Sequence, residues 1–361
     1  MPDGNTIFEV SRTDIHKTRA IDEPTAELAD GHVRLAVERF ALTSNNVTYA
    51  IFGDMLGYWS FYPAAEDGWG RVPAMGYARV VESARDDVAT GGLYSGWYPM
   101  ARTVDIAAVP TGNGLRDDGA HRAEHAPVYR TLVATDRDPF HEPGEEAENR
   151  HALLRILFAT SFLADDFFAE SDYYGASRVI VMSASSKTAV GFAQRASARG
   201  VGEVVGLTSA RNIEFVRALG YYDRVVTYDD IETLSPDVDS VSIDMAGNGA
   251  VLARVHDRLG DRLRYSMIVG KSHAGAEQGD PPSSGPAPEL FFAPTQIQKR
   301  IEEWGAAGYE ERMKQALLEF VAESAKWLGV TRTSGADGAE RIWHDTIAGE
   351  VPPSIGHIVS I

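Results

Sequence analysis

The stretch VIVMSASSKTAVGFAQRASARG, residues 179–200, decides how the chain folds. Four apolar residues, Val179 to Met182, end in Ser183, Ala184, Ser185, Ser186 and Lys187, and the first glycine comes only at Gly191. The pattern predicts a strand over 178–182, a tight turn, and a helix over 187–198. Such a unit points the free N–H groups of a helix N-terminus at the turn, where they favour an anion. Glycine usually fills that turn because a phosphate must approach the backbone closely. Serine and alanine are the next smallest residues, and the hydroxyls of Ser183, Ser185, Ser186 and Thr188 with the Lys187 ammonium can add donors of their own. A serine-rich surface turn is an equally good reading of these residues taken alone. A P-loop is excluded, because no glycine precedes Lys187 at the spacing that motif requires.

A β/α rhythm extends outward from this unit. Strands are predicted over 203–208, 224–228, 241–247 and 263–270, and helices over 212–220 and 251–259, with Gly220 placed to close its helix in the left-handed conformation. Strands alternating with helices at this spacing imply a parallel, doubly wound α/β sheet. In a dinucleotide-binding fold, an Asp or Glu at the end of the second strand selects NAD through the ribose 2′-hydroxyl. Here that strand ends in Thr208, Ser209, Ala210, Arg211 and Asn212, two hydroxyls and a guanidinium with no carboxylate. Arginine binds phosphate in bidentate fashion, so the loop favours NADP. The plainer reading of Arg211 is a solvated residue at the start of the next helix.

The first 109 residues or so read as strand-rich, with HVRLAVERFAL (32–42) and YARVVES (77–83) as strands. Residues 110–149 are polar and rich in Gly, Pro and acids, which reads as a long irregular surface excursion. LLRILFATSFLADDFF (153–168) has a helical distribution of apolar residues. After a Gly/Pro/Ser-rich break at 273–289, residues 296–328 read as helix and HIVSI (357–361) as a closing strand.

The composition narrows the function. Of 361 residues, 44% are hydrophobic and 24% charged, ordinary for a globular protein. The formal net charge of −18 argues against a nucleic-acid partner, because binding phosphate chains needs a basic face. No window is apolar enough to span a membrane, and the charged N-terminus lacks the apolar core of a signal peptide, so a cytoplasmic protein is expected. The absence of cysteine excludes thiolate catalysis and every sulfur-ligated zinc site.

With these residues placed, the chain resembles the medium-chain dehydrogenase/reductase superfamily, and within it the zinc-independent quinone-oxidoreductase and enoyl-reductase branch. It looks most like a bacterial group of that branch without an assigned reaction. VVGLTSARNIEFVRALGYYDRVVTYDDI (204–231) is the best-matching block, while IDMAGNG (243–249) and YSMIVGK (265–271) resemble later strands of the nucleotide-binding domain. VRLAVERFALTSNNVTYAIFGD (33–54) resembles the first strands of the catalytic domain. VPAMGYARVVES (72–83) stands where zinc-dependent relatives carry the metal-site His and Glu, which here are Tyr77 and Ala78. No metal site is therefore expected.

The resemblance implies a GroES-like β-barrel catalytic domain, residues 1–152 and 297–361, and a Rossmann doubly wound parallel-sheet domain, residues 153–296. It implies NADP as cofactor, and hydride transfer to an activated C=C or a quinone-like substrate. Zinc-free reduction needs a donor to the developing oxyanion, and the candidates are Asn46, Tyr49 and Tyr77. Thr160, with Ser161 beside it, lies in the helix that the resemblance places by the nicotinamide. Gly270 and Lys271 follow the strand it places there, and His273 is close by. The aromatic run YWSFYP (58–63) with Trp69 suits either a pocket for an apolar or aromatic small molecule or a buried cluster. His121, Glu124 and His125 have the spacing of an inverted zinc-protease motif, but they stand among Asp, Gly and Pro rather than on a helix. A homodimer is expected from the resemblance alone. The alternatives are an NADP-binding protein with little turnover, or a lyase or isomerase on the same scaffold.

Overall fold

The computed structural model describes residues 4–245, 247–270 and 282–361. They form two units, residues 1–153 with 329–351 and 355–361, and residues 154–328 with 352–354. Each is described by itself.

The chain opens with β1 (Asn5–Ser11), β2 (Thr18–Glu23), β3 (His32–Leu42), α1 (Ser44–Ile51), β4 (Trp69–Gly70), β5 (Pro73–Ser83), β6 (Leu93–Pro99), β7 (Thr103–Pro110), β8 (Gly114–Asp117), α2 (Pro127–Arg130) and β9 (Thr131–Ala134). Then follow α3 (Glu145–Glu170), β10 (Arg178–Met182), α4 (Lys187–Arg199), β11 (Glu203–Thr208), α5 (Ile213–Leu219), β12 (Arg224–Thr227), β13 (Ser240–Asp244), α6 (Gly249–Leu259), β14 (Leu263–Ile268), β15 (Glu289–Leu290) and α7 (Ala293–Ser324). The chain ends in β16 (Gly329–Ser334), α8 (Ala336–Ile347) and β17 (Ile355–Ser360).

In the first unit six antiparallel strands close into a barrel in the order β3-β5-β6-β9-β8-β7, because β3 pairs with both β5 and β7. Leu35 makes the closure visible, facing Val80 on one side and Val104 on the other. Full closure removes the exposed edges that an open sheet would present. The C-terminal half of β3 pairs instead with β17, Val359 opposite Phe40, and β17 pairs in parallel with β16. Gly76 of β5 sits against β3 so closely that a Cβ there would lie 2.3 Å from the Arg39 carbonyl oxygen. A small sheet, β2-β1-β4, packs under α8 through Trp343, whose ring meets Phe8 edge to face at 6.3 Å.

The barrel corrects one expectation. Residues 110–149 are not wholly irregular: they carry β8 and β9, two staves of the barrel. Four residues are too few to establish a period of two, so the pairing partners β6 and β7 specify these strands more than their own sequence does. Most other expected elements stand within a few residues of their places. The long helices depart further: α3 begins already at Glu145, and α7 runs Ala293–Ser324 and breaks at Gly305 (φ 73°, ψ 158°).

In the second unit the parallel sheet runs β12-β11-β10-β13-β14-β15. Its central strands are buried on both faces. Val179 and Val181 pack with Phe192 and Phe168, while Ile180 and Met182 pack with Leu252 and Val255 on the other face. That two-sided burial explains the unbroken apolar run Val179–Met182 of β10, whereas β13 also buries Ser240, Ser242 and Asp244. The chain moves outward from β10 to β12 and then returns to β13 on the other side of β10. The order reverses at the carboxyl ends of β10 and β13, and doubly wound sheets bind ligands at such a point.

Candidate functional site

At the carboxyl end of β10, Ser183 adopts φ 57°, the left-handed region that favours glycine. A non-glycine residue there costs on the order of 1 kcal/mol and persists only when its surroundings hold it. They do so here. The Ser186 amide donates to the Ser183 carbonyl at 2.8 Å, the Ala184 amide to the Leu207 carbonyl at 2.9 Å, and the Tyr222 hydroxyl to the Ala184 carbonyl at 2.9 Å. Ser186 is the N-cap of α4, its hydroxyl accepting from the Ala189 amide at 3.2 Å. The turn is therefore held in a left-handed conformation at Ser183, with serine where glycine would be usual. The amides of Lys187 and Thr188 fall in the first turn of α4, where a helix supplies no internal acceptor.

Gly191, one turn further on, does what the third glycine of such motifs does. A Cβ there would come within 2.9 Å of the Ser161 hydroxyl and 3.1 Å of the Phe158 ring. Its absence lets α4 lie against α3, and the Ser161 hydroxyl donates to the Thr188 carbonyl at 2.7 Å. Ser161 is thus a brace for the turn. Thr160 is half-buried and its hydroxyl donates to the Ile156 carbonyl at 3.2 Å, within its own helix.

The second strand ends close by. Asn212 donates to the Ser185 hydroxyl at 3.1 Å, tying the loop after β11 to the loop after β10. The hydroxyls of Thr208 and Ser209 are buried with no hydrogen-bond partner among the described residues. Arg211 is exposed in the single 3-10 turn that follows. Two orphaned hydroxyls at a strand end, with Arg211 next but one along the chain, are donors of the kind that suit a phosphorylated ribose. Burial lowers the Lys187 ammonium to about 8, so it is mostly charged at neutral pH and only marginally so above that. Gly270 is buried just beyond β14; Lys271 and His273 lie outside the described residues.

The sequence reading missed Tyr222, Tyr228 and Asp244 at this edge. The Tyr228 hydroxyl stands 3.4 Å from that of Ser183, and burial raises its phenol above the usual range. Asp244 ends β13 fully buried, with Oδ1 accepting from the Gly247 amide at 3.1 Å. Tyr222 and Tyr228 carried no sequence signal, since ring direction depends on which strand neighbours them.

In the first unit the three oxyanion-donor candidates are all buried. Asn46 completes a capping box at the start of α1: its Oδ1 accepts from the Thr43 amide at 2.8 Å, and its Nδ2 donates to the Pro73 carbonyl at 2.9 Å. Tyr49 packs its ring 4.4 Å from that of Tyr58, and burial raises its phenol strongly. Tyr77 places its hydroxyl 3.0 Å from Nδ1 of His151, on α3, with the Arg39 guanidinium 4.9 Å above its ring. Tyr58, Trp59, Phe61 and Tyr62 are buried, so the aromatic run is a packed cluster joined by Tyr129 and His125. His125 packs its ring at a tilt against Phe61, 4.3 Å between centroids, and is pushed down to about 4, first by burial and then by the Arg122 charge. It is a neutral packing residue at physiological pH. No cluster of three His, Asp or Glu able to hold a metal is present among the described residues, and none of their helices is long and apolar enough to cross a membrane.

Comparison of the sequence with curated proteins finds no match. Solved structures match along the whole chain at low identity. CurA from Vibrio vulnificus is 12% identical with a TM-score of 0.60, covering 99% of this chain and 98% of its own. The yhdH oxidoreductase from Salmonella enterica, in complex with NADP, is 16% identical with a TM-score of 0.55, covering 99% of each chain. An enoyl thioester reductase from Candida tropicalis, a mutant form, is 10% identical with a TM-score of 0.55, covering 99% of this chain and 100% of its own. At such identities the likeness establishes the fold, a GroES-like barrel with a Rossmann domain, as the resemblance to medium-chain reductases implied. By sequence, over residues 40–352, the chain belongs to the family described as Protein of unknown function (DUF2855).

Proposed function

We propose that the protein is an NADPH-dependent, zinc-independent oxidoreductase that reduces an activated C=C bond or a quinone-like conjugate. The carrying observation is the edge formed by the left-handed Ser183 turn and the orphaned hydroxyls of Thr208 and Ser209 beside Arg211. Nucleotide-bound structures of the same fold support it, namely CurA with NADPH and the yhdH oxidoreductase with NADP.

In this reading the first-turn amides of α4, with Ser185 and Ser186, receive the pyrophosphate. Thr208, Ser209 and Arg211 receive the ribose 2′-phosphate, with Lys187 adding positive charge. NADPH, when bound, supplies a hydride to the substrate. The buried Asp244 and Tyr228 fix the shape of the edge beside the turn. The homodimer stays part of the proposal.

The test is titration of the protein with NADPH and NADH, followed by cofactor fluorescence. A charged phosphate contact is worth about 1.5–3 kcal/mol, so Arg211→Ala should weaken NADPH by about tenfold or more and leave NADH nearly unchanged. If neither cofactor binds the wild type in a saturable way, the reading fails. A pH series adds an independent check. Lys187 loses its proton as pH rises through about 8, so NADPH affinity should hold to pH 7 and fall above 8. Lys187→Arg, which keeps its charge, should flatten that fall.

One observation favours a second reading, an NADP-binding protein with little turnover. Asn46 has both ends of its amide engaged by backbone, and the Tyr49 and Tyr77 hydroxyls are buried. NADPH oxidation with any enone or quinone would decide against it.

A further inference from the structure

A cavity of about 300 Å³ lies among α3, α4 and α7 in the second unit, at the end of α4 away from the Ser183 turn. Arg195 is eight residues along α4 from Lys187, roughly 12 Å at the rise of a helix. Phe162 and Ala316 form apolar wall, and three guanidiniums, those of Arg195, Arg199 and Arg312, face the space with Trp304 at its rim.

The charges around the cavity are unevenly matched. Arg199 is taken by the buried Asp165, donating from Nη2 at 2.6 Å and from Nε at 3.2 Å. Asp166 is taken by Arg300. Arg195 is not comparably held. Its Nε is buried with no hydrogen-bond partner among the described residues, and its ion-pair contact to Asp165 is long, at 3.9 Å. Arg312 makes no ion pair among the described residues and instead lies 4.4 Å over the Trp304 ring. The break at Gly305 is what sets Trp304 on one helical segment and Arg312 on the next. Glu319 is the remaining acid of the lining. A guanidinium with a buried, unmet N–H, as on Arg195, calls for an acceptor, and with the exposed Arg312 guanidinium and an aromatic side chain beside it the pair suits a planar or tetrahedral oxyanion.

From this geometry we infer that the cavity is a second ligand site, taking a small organic oxyanion, a carboxylate or phosphate ester with an apolar body, between Arg195 and Arg312. The oxyanion joins α4 to α7, and the apolar body rests on Phe162 and Ala316. The site is separate from the proposed cofactor edge, so its occupancy and that of the edge are independently measurable.

The full-length protein is titrated calorimetrically with benzoate and, separately, with inorganic phosphate, each against chloride at equal ionic strength. At least one probe should bind saturably, and the Arg195→Gln/Arg312→Gln double variant should lose about tenfold or more in its affinity. Both arginines lie at partly exposed or exposed positions, and the single Arg312→Gln change, on the exposed side of α7, should weaken the same probe in part. Benzoate preference would assign the site to carboxylates, and phosphate preference to phosphate esters. The inference is overturned if neither probe binds saturably, or if the double variant binds as the wild type does, as it would if phosphate occupied the turn at Ser183. NADPH titration of the same variant separates the two proposals, because its affinity should not change.

Discussion

Arg122→Ala should destabilise the barrel unit by about 3–5 kcal/mol, the cost of breaking a buried ion pair from one side. Both side chains of the pair, Arg122 and Asp117, are almost wholly buried, 3.4 Å apart. Arg122 also donates to the Tyr129 carbonyl at 2.5 Å and stacks over the Phe61 and Tyr62 rings at 4.5 and 5.0 Å. Truncation leaves the Asp117 carboxylate charged and unpaired, removes the packing over two rings, and leaves a carbonyl without its donor. Thermal unfolding should show a fall on the order of 10 °C for a unit of this size. Replacing both partners, Arg122→Met with Asp117→Leu, should cost less than Arg122→Ala alone, because no charge is then stranded. If the single variant loses under about 1 kcal/mol by urea unfolding, the pair is relieved by water and this account is wrong.

Trp343→Ala should cost a similar amount, about 3–5 kcal/mol, through the cavity it leaves under α8. The ring is fully buried, its edge meets Phe8, and its Nε1 donates to the Ile15 carbonyl at 2.9 Å. The two contributions can be separated with Trp343→Phe, which keeps most of the packing but not the donor. That variant should lose the hydrogen bond, about 1 kcal/mol, and a smaller packing term. Equal losses for Phe and Ala, read from urea midpoints, would show that the hydrogen bond rather than the volume secures α8 to the small sheet.

The sequence alone located the β/α elements of the second unit from β10 to β14 within a few residues. Strands 178–182 and 203–208 coincide with β10 and β11, and Gly220 closes α5 at φ 74° as its position implied. Parallel strands buried on both faces carry short apolar runs, as β10 does over Val179–Met182, and the helices between them end at residues with special backbone preferences, so these elements are encoded locally. The candidate cofactor edge was legible for the same reason: it follows from which residues stand at strand ends.

Tertiary structure decided the rest. β8 and β9 are too short to show a period, and exist because β6 and β7 offer them ladders. Residues 172–174 are Asp, Tyr and Tyr, yet all three adopt left-handed φ values of 47–54°. Asp tolerates that region, but no local preference of tyrosine selects it; Tyr173 is held by its hydroxyl on Asp165 at 2.6 Å, and Tyr174 by stacking on Tyr265 at 4.4 Å. Ser183 likewise takes a glycine conformation because Ser186, Leu207 and Tyr222 occupy the hydrogen-bonding groups around it. Asn46, Tyr49 and Tyr77 have the chemistry of catalytic donors, but a cap, a ring contact with Tyr58 and a histidine engage them. Residue type states which bonds a side chain can make, and distant segments determine which of them it does make.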